Sequence, residues 1–62
     1  MAKSKNRVME LREKNAWSLA ELARHANLAY QTVSKIEKGL KVSRISELKV
    51  AKAFDIDHAK IF

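Results

Sequence analysis

Residues 19 to 38, LAELARHANLAYQTVSKIEK, constrain this chain more than any other stretch, because they read as two short helices meeting at a tight corner. The start is marked by Ser18-Leu19-Ala20-Glu21, a capping box in which hydroxyl and carboxylate each satisfy a free backbone amide at a helix N-terminus. Trp17 before the cap and Leu22 after it have the spacing of a hydrophobic staple. Leu19, Leu22, Ala23 and Ala26 then recur at helical spacing, with the small Ala23 placed where a steeply crossing helix must come close. Asn27 suits the corner, which calls for positive φ, a conformation Asn tolerates best after Gly. Leu28 plugs the corner. The second helix runs from Tyr30 to Lys38 and stops at Gly39, the one glycine in the chain.

The second helix divides its residues between two faces. Val33 and Ile36 turn inward, while Tyr30, Gln31, Ser34, Lys35 and Lys38 form an outer face able to hydrogen-bond along its whole length. The flanking segments are helical too. A first helix is expected from about Ser4 to Lys14, with Val8, Leu11 and Arg12 inward and Asn15-Ala16 as its exit. A fourth is expected from Arg44 to Phe54, capped by Ser43, with Ile45, Leu48, Ala51 and Phe54 on one face. Asp57 is placed to cap a final short turn ending in Ile61-Phe62. Trp17 and Phe54 read as core anchors. With no Pro, no repeat and no linker, the 62 residues make one all-α domain, 1–62, of modest stability.

Charge narrows the partners. Thirteen Lys and Arg against seven Asp and Glu give a formal charge of +6, which favours polyanions. Position sharpens this: Lys35, Lys38, Lys41 and Arg44 surround the end of the second helix, with only Glu37 among them. There is no cysteine, so disulfides and thiolate metal sites are absent and a reduced compartment is compatible. His25 and His58 are isolated in sequence and read as surface or packing residues, with no metal or cofactor expected. No nucleophile elbow and no Gly-rich phosphate loop supports catalysis. No apolar run approaches membrane-spanning length, and Met1-Ala2-Lys3-Ser4-Lys5 lacks the hydrophobic segment of a secretory signal. A soluble, cytoplasmic, non-enzymatic protein is expected.

The corner unit resembles the helix-turn-helix of phage Cro and repressor proteins and their bacterial relatives. That family's pattern has Gln first, a small residue fifth, Gly ninth and aliphatics fifteenth and eighteenth, falling here on Leu19, Ala23, Asn27, Val33 and Ile36. Ala23, Val33 and Ile36 match, Asn27 departs conservatively, and Leu19 departs outright. Val8 to Lys14, Ser34 to Gly39 and Ala51 to Phe54 are similar to the family's first helix, recognition-helix end and fourth helix. The resemblance implies a compact five-helix lambda repressor-like domain, with the helix-turn-helix over about 18–38. It also implies a double-stranded DNA-binding regulator, a repressor acting as a homodimer on a palindromic operator, in bacterial cytoplasm or nucleoid or encoded by a phage.

Roles follow from the same resemblance. Base contacts fall on Tyr30, Gln31, Ser34 and Lys35. Chemically, Gln31 suits adenine N6 and N7, Lys35 suits guanine O6 or N7, and Tyr30 suits a thymine methyl or a phosphate. Phosphate contacts fall on Ser18 with the amides opening its helix, and on Lys38, Lys41 and Arg44. Arg12 and Glu37 form a structural ion pair, and Leu40, Ile61 and Phe62 are the apolar interface candidates. Leu19 stands where the family carries a phosphate-binding Gln, and Ala29 replaces the usual Ser or Thr cap. The alternative is a protein-interaction module of the same fold, an antitoxin or coactivator-like adaptor, gripping its partner through the Leu19 face.

Overall fold

A computed structural model of the chain describes residues 6–62. Its helices are α1 (Val8–Lys14), α2 (Leu19–Ala26), α3 (Tyr30–Glu37) and α4 (Arg44–Phe54), followed by a 3₁₀ turn at His58–Lys60. There is no strand among the described residues. The five-helix expectation is corrected to four α-helices and that turn. The last segment is three residues long, closed by Lys60 N–H to the Asp57 carbonyl at 2.9 Å, too short for an α-helical hydrogen-bond ladder. The expected start of the first helix at Ser4 lies outside the described residues, and residues 6 and 7 are bends rather than helix. Arg7 is the N-cap of α1 and makes no side-chain cap; ahead of it Asn6 Oδ1 accepts from Val8 N–H at 3.0 Å while its Nδ2 donates to the Ile36 carbonyl at 2.8 Å.

Helices of 7, 8, 8 and 11 residues are too short to persist alone in water, so mutual burial holds them. Val8, Leu22, Val33, Ile36 and Val50 are fully buried, and Leu11, Ala23, Ala26, Ala51, Phe54 and Ile61 complete the core. α2 lies between α3 and α4 and packs extensively against both. The core face expected for α4 is corrected at Ile45 and Leu48, which are 66% and 43% exposed, and Val50 takes the inner place. The physical reason is angular. Each three-residue step falls short of a helical turn by about 60°, so a 45-48-51-54 series winds round the helix and cannot face one core. Ile61 is likewise buried at 2% exposure and does not offer an interface. Asp57 makes no side-chain cap. The terminal turn is clasped by His58, whose Nε2 lies 2.9 Å from Glu47 Oε1 and whose ring stacks on Phe62 at 4.9 Å.

All four helices end in the same way. Ala16, Asn27, Gly39 and Asp55 adopt left-handed φ of 57°, 58°, 78° and 58°. Each is followed by a residue whose N–H reaches back to a carbonyl five positions earlier: Trp17 to Arg12, Leu28 to Ala23, Leu40 to Lys35 and Ile56 to Ala51. These are Schellman motifs, closed in each case by a large apolar residue. Ala16 carries the least suitable side chain for that conformation, since it has neither the freedom of Gly nor the local hydrogen bonding of Asn or Asp. Ala16→Gly should therefore raise stability by about 0.5 to 1 kcal/mol, or roughly 2 to 8 °C in Tm, even after the added entropy of the unfolded chain. Thermal denaturation followed by circular dichroism checks it; a lower Tm would show that the Ala16 methyl makes contacts that outweigh its strain.

Candidate nucleic-acid interface

The N-terminus of α2 is built by the capping box. Ser18, in an extended conformation, accepts the Glu21 N–H on Oγ at 3.1 Å, and its own N–H donates to Glu21 Oε1 at 2.8 Å. The hydrogen bond from the Ser18 amide holds the Glu21 carboxyl below its ordinary range, against slight desolvation. Ser18 is exposed while its hydroxyl oxygen caps the helix. The amide of Ser18 itself is already taken by Glu21.

At the corner, Asn27 sits at φ 58°, ψ 47°, and its N–H donates to the Arg24 carbonyl at 3.2 Å. Leu28 follows, half-buried against the core. α3 then starts without a side-chain cap at Ala29, and its first turn closes through Thr32 and Val33 N–H to the Ala29 carbonyl at 3.0 and 3.2 Å. Val33 and Ile36 are at 0% and 1% exposure, which commits that face to the core and turns the opposite one outward. Tyr30, Gln31, Ser34, Lys35 and Lys38 line one shallow concavity open to solvent. Tyr30 is 54% exposed, Gln31, Lys35 and Lys38 are exposed, and Ser34 is half-buried at the rim.

Lys38 caps α3, and Gly39 turns the chain toward Lys41 and Arg44, both exposed. None of Lys35, Lys38, Lys41 and Arg44 forms an ion pair among the described residues. Four cations around one helix end thus carry no internal compensation, and the field they make is available to an external anion.

Arg12 of α1 holds this surface in place. Its Nε donates to Glu37 Oε2 and its Nη2 to Glu37 Oε1 at 3.3 Å, a two-pronged grip on the last turn of α3. A third hydrogen bond runs from Nη1 to the Trp17 carbonyl at 2.9 Å, immediately before the α2 cap. One guanidinium therefore fastens the end of α3 and the approach to α2 to the same point on α1. The pair is largely shielded, with side-chain exposures of 17% for Arg12 and 7% for Glu37. The hydrogen bond to Glu37 pushes the Arg12 guanidinium above its ordinary range, in spite of burial. The Trp17 bond and the Asn6 link to Ile36 were missed by sequence reasoning, and only Asn6 had a signal there, an Asn two residues ahead of a helix.

Trp17 is half-buried and stacks with two rings. His25 stacks on it at 4.1 Å with 12° between planes, and Phe54 stacks at 5.6 Å with 17°. His25 is a packing residue in this arrangement. Leu19 is half-buried and packs against the core.

The helix-turn-helix family model matches residues 8–61, which takes in every element from α1 to the terminal turn. No curated protein and no solved structure matches the chain. With its capped α2, left-handed corner and outward-facing α3 inside that match, the chain belongs to the helix-turn-helix family of DNA-binding regulatory domains, of the Cro/repressor-like class.

Proposed function

We propose that the whole chain, residues 1–62, acts as one domain that binds a short operator in double-stranded DNA and represses transcription. The observation that carries this reading is the outer face of α3, where Tyr30, Gln31, Ser34, Lys35 and Lys38 share one open concavity. A helix laid in the major groove brings its N-terminal residues closest to base edges, so Gln31 and Lys35 read bases while Tyr30 and Ser34 contact them from the rim. Ser18, Lys38, Lys41 and Arg44 grip phosphates on either side. The protein works in the cytoplasm or nucleoid of a bacterium, or on behalf of a phage, without catalysis and without a cofactor.

The active form is a two-fold dimer on a palindromic site, because one small domain makes few base contacts and two half-sites a helical turn apart multiply specificity. Leu40, 54% exposed, and Phe62 line a common groove that suits the contact. The rival reading, a protein-interaction module gripping through the Leu19 face, has less behind it. Leu19 is accounted for by packing on the core.

Selection of binding sites from a random duplex library tests the proposal: an enriched palindrome supports it, and an unenriched pool with salt-insensitive binding counts against it. The phosphate contacts have their own signature. Lys38→Ala or Lys41→Ala should weaken binding to all duplexes about equally and lower the salt slope by roughly one unit each, because each contact releases about one counterion. Fluorescence anisotropy over a salt series measures this, and an unchanged slope removes that lysine from the interface.

A further inference from the structure

α4 presents a second surface, apart from the outer face of α3. Ile45, Leu48, Lys49 and Lys52 stand at i, i+3, i+4 and i+7, one stripe pointing away from the buried Val50, Ala51 and Phe54. Ile45 is 66% and Leu48 43% exposed, and both lysines are exposed. Two large aliphatics side by side in water are a cost the fold has no internal reason to carry, and such patches mark contact sites. At the basic end, the stripe runs into a groove lined by His25, Ala26, Asn27, Lys49, Lys52 and Ala53. Two of its lining residues, Ala26 and Ala53, are small, and the groove is open to solvent. Lys49 and Lys52 form no ion pair among the described residues.

We infer that this stripe docks an acidic amphipathic helix of a partner protein. Apolar side chains of the partner cover Ile45 and Leu48, and its carboxylates meet Lys49 and Lys52 and reach the groove beside His25. The stripe spans about 10 Å, two helical turns, a length that a partner helix can follow side by side. Charge selects among occupants. A second copy is disfavoured, because the stripe contains no carboxylate and two copies of a chain with net charge +6 would bring lysines together. Duplex DNA is disfavoured as well, because phosphates would lie against two aliphatic side chains. The stripe shares no residue with the concavity on α3, so one molecule can hold DNA and a partner together.

The test uses the full chain, ¹⁵N-labelled, titrated with a synthetic amphipathic peptide of about 18 residues, long enough to hold a helix. The peptide carries a leucine stripe flanked by glutamates, and its control has lysines in place of the glutamates. Amide shifts should cluster on Ile45 to Ala53 and His25 to Asn27 and leave Tyr30 to Lys38 unmoved. The Ile45→Ser/Leu48→Ser and Lys49→Glu/Lys52→Glu double variants should each bind at least about tenfold more weakly, and the control peptide likewise. These positions are exposed, so the variants should keep the wild-type Tm; if either unfolds, the wild-type shift map and the control peptide decide. Shifts centred on the α3 cations, or equal binding of the control, would overturn the inference. Self-association in sedimentation equilibrium that disappears in Ile45→Ser/Leu48→Ser would make the stripe a self-interface instead. Binding to anionic phospholipid vesicles that depends on Ile45 and Leu48, with no peptide binding, would make it a membrane contact and overturn the inference too.

Discussion

Arg12→Met should cost the domain about 3 to 5 kcal/mol, because it breaks a shielded ion pair from one side and takes the guanidinium away from the Glu37 carboxylate. Three hydrogen bonds disappear together, two to Glu37 and one to the Trp17 carbonyl. An exposed ion pair would be worth only about 0 to 1 kcal/mol, so burial sets the expected size, and Glu37 at 7% side-chain exposure is on the buried side. A chain of 62 residues has a total stability of only about 3 to 9 kcal/mol at typical values per residue, so this loss takes away much of it. Urea denaturation followed by circular dichroism measures the change. Arg12→Met/Glu37→Leu should recover part of it, since removing both charges of a shielded pair is gentler than removing one. A single-mutant loss below about 1 kcal/mol would place the pair among ordinary surface contacts. Operator affinity should fall along with stability, because the same guanidinium joins α1 to the end of α3 and the approach to α2.

Gln31→Ala should leave the fold intact and cost about 1 to 3 kcal/mol on the preferred operator, the value of a bidentate contact to adenine. An exposed helical Gln-to-Ala change is neutral or mildly favourable in propensity, so Tm should hold or rise slightly. Random duplex should be bound almost as well as by the wild type, because phosphate contacts are untouched. The two effects separate base reading from folding and from general electrostatics. Parallel site selection with wild type and variant measures it: preference should relax at one base pair per half-site, and identical consensus sequences would remove Gln31 from base recognition.

Much of the fold was legible because it is written in local chemistry. The box Ser18-Leu19-Ala20-Glu21 needs only four consecutive residues to cap α2, and both of its hydrogen bonds are present. Asn27 takes positive φ as the corner requires, Gly39 ends α3, and the Ser43 hydroxyl accepts from Ser46 N–H at 3.2 Å to start α4. Val33 and Ile36, three apart, are both inward, which by itself turns Gln31, Lys35 and Lys38 outward. The candidate site was legible to the same extent, as a face opposite a core stripe.

What local chemistry could not supply was a choice between equivalent patterns, or any contact made across the chain. α4 has apolar residues on more than one side, and only packing against α2 selects Val50, Ala51 and Phe54 over Ile45 and Leu48. Left-handed caps at Ala16 and Asp55 were not visible, because Ala disfavours that conformation, Asp is as common at helix starts and turns, and the returning hydrogen bonds impose it. The third bond of Arg12, to a backbone carbonyl, and the Asn6 link to Ile36, thirty residues away, carry no residue-type signature at their acceptors. The sequence by itself therefore determined the helical class, the caps at Ser18 and Ser43, the stops at Asn27 and Gly39 and the polar face of α3, since these depend on neighbours within one or two turns. Only the tertiary structure decided which side of α4 is buried, how Arg12 joins three elements and which apolar residues are left in water, since burial is a property of the assembled helices and not of any one of them.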